Sequence, residues 1–188
     1  MISVASRVTR DQMTASLYTR STRALEPGAI PDSFRASLEA YANQHQLELA
    51  SLRAWLTHSE NPPATGFFRK LLGRRANSVD PDPWHESLIA LHPTHLIVGT
   101  HGPKRGTTVM SVSLAQASVQ RGSAIAARLG MASEDGISIE GFPGQEGRPG
   151  SYFVGFGPEP AADDCFASIE AAIRAAKNRP GAIPTENP

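Results

Sequence analysis

The chain has 188 residues, with 18 basic and 18 acidic side chains and 40% apolar residues, which suits one globular domain and excludes wholesale disorder. A formal net charge of zero offers none of the basic excess with which nucleic-acid binders hold phosphates, so no nucleic-acid partner is expected. The single cysteine, Cys165, excludes an internal disulfide or a thiolate metal cage, and no apolar run approaches the roughly 18–20 residues a membrane span needs.

Residues 1–30 hold no sustained period and end in Glu26-Pro27-Gly28; they read as a flexible segment. Between Met1 and Met13 there is no apolar stretch of the secretory kind, and the Arg, Ser and Thr content is only loosely that of a transit peptide. A cytoplasmic location is expected, with attachment to the inner face of the membrane as a variant of it. Residues 31–178 form the expected single α+β domain. Pro31-Asp32-Ser33 signals a helix start, with a carboxylate or hydroxyl placed to cap it. Phe34, Leu38, Tyr41 and Ala42 follow at helical spacing, which predicts a helix over 32–45 that stops in the polar run Asn43 to Gln46. Leu47 to Ser59 fits both periods; a strand centred on Leu52 to His58, with Trp55 on one face, is the preferred reading.

Asn61-Pro62-Pro63 ends that element, and residues 62–83 read as an insertion bounded by Asp80-Pro81-Asp82-Pro83. His85 to Leu91 and His95 to His101 are β-rich runs around Pro93-Thr94. A tight turn there sets Leu91 opposite Leu96, Ile89 opposite Val98, and Glu86 opposite His101. One face is then Ile89, Leu91, Leu96 and Val98, a core face; the other mixes Ala90 and Ile97 with Glu86, His92, His95 and His101. Gly102 to Gly106 makes a turn, and Val109 to Leu114 alternates again, with Met110, Val112 and Leu114 on one side. Ala117 to Arg121 adds a short strand and Ser123 to Met131 a short helix. Gly136 to Phe142 and Ser151 to Phe156 pair as a hairpin. A last helix runs from about Ala161 to Lys177, with Phe166, Ile169, Ile173 and Ala176 on its apolar face and charges arranged to suit its dipole. Residues 179–188 form a tail.

Six or seven antiparallel strands followed by one amphipathic helix resembles the order of a pleckstrin-homology-like (PH-like) domain. The stretch from Leu88 to Thr100 resembles the hairpin of bacterial PH-like domains, with Leu91-His-Pro-Thr-His-Leu-Ile97 where those typically carry Leu-Thr-x-x-Arg-Leu-Ile. The family's Thr and Arg stand here as His92 and His95. Leu114 to Val119 is similar to the segment that follows, and Tyr152 to Phe156 with the last helix to the closing strand and cap. The resemblance covers roughly residues 50–178. It implies an antiparallel barrel or sandwich closed by the C-terminal helix, with the 32–45 helix added in front. It also implies a module that recognises proteins or lipids, some in oligomers; a fold does not fix a ligand.

The sharpest candidate contact is Phe67 to Arg75. At about 100° per residue, Phe67, Phe68, Leu71 and Leu72 share one arc of a short helix and Arg69, Lys70 and Arg74 lie opposite, while Arg75 falls back on the apolar side. Such a patch suits an anionic membrane, where each basic residue contributes about 1 kcal/mol. Four give only millimolar-class attraction, so buried phenylalanines would have to supply the rest. The competing reading is a loop packed on the sheet. Lys104 and Arg105 add two charges at a hairpin tip, as a phosphoinositide contact or as solvated turn residues. Glu86, His92, His95 and His101 allow a metal or hydrolytic site, but the two histidine pairs fall at opposite ends of the hairpin. Cys165 reads as a buried thiol, and Gly155-Phe-Gly157 lacks the context of a dinucleotide loop. The expectation is a non-catalytic recognition module without a cofactor, binding a protein or an anionic lipid surface. A histidine-based metal protein or hydrolase is the alternative, and a homo-oligomer a further option.

Overall fold

The computed structural model describes residues 18–26, 28–50, 52–63, 76–123, 134–144 and 148–179. Phe67 to Arg75, most of the 123–131 segment and most of the two chain ends therefore lie outside the described residues. In chain order the elements are β1 (Thr19–Leu25), α1 (Asp32–His45), β2 (Arg53–Glu60), β3 (Trp84–Leu91), β4 (His95–Gly102), β5 (Gly106–Ser113), β6 (Ser118–Arg121), β7 (Gly136–Pro143), β8 (Pro149–Gly155) and α2 (Pro160–Lys177). Strands β1 to β5 form one antiparallel sheet in sequence order, and β6 to β8 form a second. The protein is thus α+β with antiparallel sheets and a C-terminal helix.

The middle of the large sheet is buried on both faces, which is why Leu88-Ile-Ala and Leu96-Ile-Val are continuous apolar runs. On the inner face Trp55, Ile89, Leu96, Val98 and Val112 pack with Ile137, Ile139 and Val154 of the small sheet. Cys165, Ile169 and Ile173 of α2 close that core. On the outer face Phe34 and Leu38 of α1 pack on Ala54, Leu56, Leu88, Ala90 and Ile97. Gly99 makes room for α1: a Cβ there would sit 3.0 Å from Phe34 Cδ1. Each fully buried Val, Leu, Ile or Phe side chain among these stabilises the fold by about 1.5–3 kcal/mol.

The β3–β4 register is the one read from the sequence, with Leu91 opposite Leu96, Ile89 opposite Val98 and Glu86 opposite His101. The face read as mixed is not open along its length, because Ala90 and Ile97 are the bed of α1. Residues 1–30 are not all a flexible segment: Thr19–Leu25 pairs with β2 over seven residues. Its best-buried side chains are Arg20, Thr22 and Leu25, so the strand carries no apolar alternation to announce it. Helix α1 accordingly connects two neighbouring strands of the sheet instead of standing in front of the domain. It starts without the expected side-chain cap; Asp32 instead pairs with Arg35 at 3.1 Å. It ends on Gln46 in the left-handed region, φ 54°, whose N–H closes onto Ala42 and Asn43.

Candidate functional site

Among the described residues the apolar bed of helix α1 on the outer face ends at Leu56, Leu88 and Gly99. Beyond Leu56, Leu88 and Gly99, the next residues on the same side are polar. Ser21, His58, Glu86, His101 and Thr107 form one transverse row across all five strands, and Glu60 and Trp84 begin the row after it. The patch follows from the period of two: each strand continues its outward face past the apolar bed of the helix.

Trp84 is half-buried between two histidines. Its ring stacks on His58 at 5.7 Å between centroids and 27° between planes, and lies 5.8 Å from His101. His58 stands between two carboxylates, with Nε2 3.8 Å from Glu60 and Nδ1 3.8 Å from Glu86. His101 is fixed by a relay. The Thr107 hydroxyl donates to the Ser33 carbonyl at 2.9 Å and lies 2.8 Å from His101 Nδ1. A hydroxyl has one proton to give, so His101 donates from Nδ1, and the lone pair of the neutral ring sits on Nε2. The arrangement is an aromatic centre flanked by imidazoles and rimmed by two carboxylates.

A second polar cluster lies at the same end of the molecule, on the other side of the sheet. Asp82 is fully buried and accepts from Arg105 Nε at 2.6 Å and from the Lys104 N–H at 2.7 Å. The other arm of Arg105 pairs with Asp80. Asp80 also accepts from the Tyr18 hydroxyl at 2.5 Å, and Asn77 donates to that hydroxyl at 2.8 Å. Burial, then the hydrogen bond to Asp80, push the Tyr18 phenol up to about 12. His85 Nδ1 lies 3.3 Å from Asp80, and burial, reinforced by the Arg105 charge, holds its imidazole below the usual value. This cluster binds the close of the 62–83 insertion to the β4–β5 hairpin. Arg105 is therefore not a solvated charge at a turn tip, as the sequence reading allowed; its guanidinium is engaged by two aspartates. Lys104 remains exposed.

His92 and His95 lie at the opposite end of the hairpin from Glu86 and His101. Both reach Thr94 through Nδ1, at 3.0 and 2.9 Å from its hydroxyl. Burial, then His92 and His45 nearby, hold the His95 imidazole below its usual range. The four residues of the metal reading are thus not brought together, and among the described residues no three His, Cys, Asp or Glu side chains are disposed to hold a metal ion. Cys165 is buried, and burial with the neighbouring Asp164 pushes its thiol well above the ordinary value. Gly155 and Gly157 serve packing: a Cβ on Gly157 would meet the β1 backbone at Ser21 Cα, 2.7 Å away. A cleft of about 410 Å³ opens beside them, lined by Glu134, Asp135, Glu159, Asp163 and Arg121. Glu134 pairs with Arg20 and Asp163 with Arg121.

Sequence reasoning missed His58, Trp84, Asp80 and Asp82. For His58 a signal existed: as a strand, 53–60 puts it on the same face as Leu56 and in line with Glu86. No helix in the described residues is long and apolar enough to cross a membrane. Comparison of the chain with known protein families, curated proteins and solved structures finds no match.

Proposed function

We propose that this chain is a non-catalytic recognition module of PH-like type, and that the polar end of the large sheet's outer face is its contact surface for a protein partner. The observation that carries this reading is the partly buried Trp84 ring held between His58 and His101 with Glu60 and Glu86 at the rim. A rigid, partly buried aromatic ringed by polar groups is the usual centre of a protein contact. The order of β2 to β5, then β6 to β8, then α2 supports the PH-like part of the reading. The protein partner is preferred to an anionic membrane because Glu60 and Glu86 would repel lipid phosphates, and because the Arg105 charge is already paired with Asp80 and Asp82. The basic residues of 66–75 keep the lipid reading as an outcome of the test.

The chain contains two tryptophans, of which Trp55 is 2% exposed. In a Trp55→Phe background, fluorescence therefore reports Trp84 alone. Co-sedimentation with neutral and anionic vesicles, read beside Trp84 emission, separates the readings. Absence of sedimentation, with a partner whose binding shifts Trp84 emission and is weakened at least tenfold by Trp84→Ala, is the expected result. Salt-sensitive sedimentation with anionic vesicles alone would assign the module to the membrane. Binding of a protein partner that Trp84→Ala leaves unchanged would move the contact elsewhere.

A further inference from the structure

β5 ends the large sheet, and among the described residues no strand pairs with its outer edge. An edge strand presents unpaired N–H and C=O groups that template another strand, and proteins ordinarily blunt such edges with charges, proline, bulges, shortness or a cover. The other three edges carry these devices. On β1 the Thr22 N–H donates to Glu159 at 2.7 Å and the Thr22 hydroxyl accepts the Gly157 N–H at 2.8 Å, so the 157–159 segment covers the strand. β6 is four residues long and ends on Arg121. β8 begins on Pro149, which has no N–H to offer.

Among the described residues β5 has no charge, proline, bulge or shortness to blunt its edge; α1 meets its outer-face side chains, with Tyr41 Oη 3.0 Å from Ser111 Oγ and the Thr107 hydroxyl on the Ser33 carbonyl. The β5 sequence, Gly-Thr-Thr-Val-Met-Ser-Val-Ser, is eight residues without a charge or a proline. Its register with β4 runs unbroken from Gly102 opposite Gly106 to His95 opposite Ser113. We propose that β5 is a self-association edge, at which two copies of this chain pair β5 with β5 antiparallel about a two-fold axis. A two-fold contact sets a surface against itself, so a strand bearing charge would oppose its own sign. β5 is neutral throughout. In a centred antiparallel pairing the Lys104-Arg105 end of one strand falls beside the uncharged Ser113-Leu114 end of the other. Equal numbers of basic and acidic residues, 18 of each, leave no net charge to hold the copies apart.

Sedimentation velocity of the full chain over a concentration series tests this. Thr108 is exposed on β5, so Thr108→Lys and Thr108→Glu place a charge on the edge without entering the core. The expected result is a concentration-dependent dimer for the natural sequence, monomers for either variant alone, and partial recovery of the dimer when the two variants are mixed. A monomer persisting at about 100 μM, where a micromolar contact would be saturated, overturns the proposal, as does a dimer that Thr108→Lys leaves intact. Hydrogen exchange gives a reading without any variant: β5 amides should gain protection as the natural chain is concentrated, and unchanged exchange there also overturns it.

Discussion

Arg105 Nε lies 2.6 Å from Asp82 Oδ2, and this contact holds the tip of the β4–β5 hairpin against the segment that leads into β3. Asp82 is fully buried and the Asp80 side chain is only 5% exposed, so neither carboxylate has water to fall back on. Arg105→Ala leaves both without their counter-charge. Removing one partner of a buried pair costs about 3–5 kcal/mol; because the Arg105 side chain is 30% exposed, the lower end is expected. Urea unfolding should show a drop of about 3 kcal/mol, with Arg105→Lys recovering only part, since one ammonium cannot reproduce bonds from two guanidinium nitrogens. A loss under about 1 kcal/mol would mean the pair behaves as a surface ion pair.

The same cluster sets an acid limit. Burial raises both carboxyls, but hydrogen bonds outweigh it: from Tyr18, the Asp82 N–H and Arg105 for Asp80, and from Arg105 and the Lys104 N–H for Asp82. Both end below the usual aspartate value. A carboxyl held low in the fold takes up its proton first in the unfolded chain, so acid favours unfolding. The stabilisation is fully present above the ordinary aspartate pKa, about 3.9, and is lost as pH falls through the lower folded values. Melting temperature should therefore hold steady from neutral pH to about 5 and fall steeply below 4. In Arg105→Ala that acid slope should be shallower; an identical slope would place the acid sensitivity in other carboxylates.

How much of this was legible depended on whether a residue's role was local. The β3–β4 pairing was readable because a two-residue turn between two apolar runs fixes a register from a dozen consecutive residues. The core face of α2 was readable for the same reason. β1 was not, since Arg20 and Thr22 face inward and bond Glu134 and Glu159, more than a hundred residues away. Asp80 and Asp82 looked like loop punctuation beside two prolines, and nothing nearby in the chain indicates that Arg105 will meet them. The open patch was half visible. Glu86 and His101 came from the hairpin, whereas His58 and Trp84 join them only once the 53–60 strand and the extent of the apolar bed of α1 are both known.

The relay from His101 through Thr107 to Ser33 gives the candidate site its own test. Free imidazole favours the tautomer with the proton on Nε2, and the Thr107 hydroxyl reverses that choice by accepting from Nδ1 while donating to the Ser33 carbonyl. Nitrogen-15 shifts of the natural chain above pH 8 should show His101 protonated on Nδ1, and His92 differently, since its Nδ1 accepts the Thr94 N–H at 3.2 Å. Thr107→Val keeps the shape and removes the hydroxyl. It should return His101 to the Nε2–H form and cost about 1 kcal/mol of stability for the lost hydrogen bonds. If the patch is the partner contact, the variant also turns the ring nitrogen that faces the partner from acceptor to donor, so affinity should fall while Trp84 stays in place. Retention of the Nδ1–H form in Thr107→Val would show that something other than the relay orients the ring.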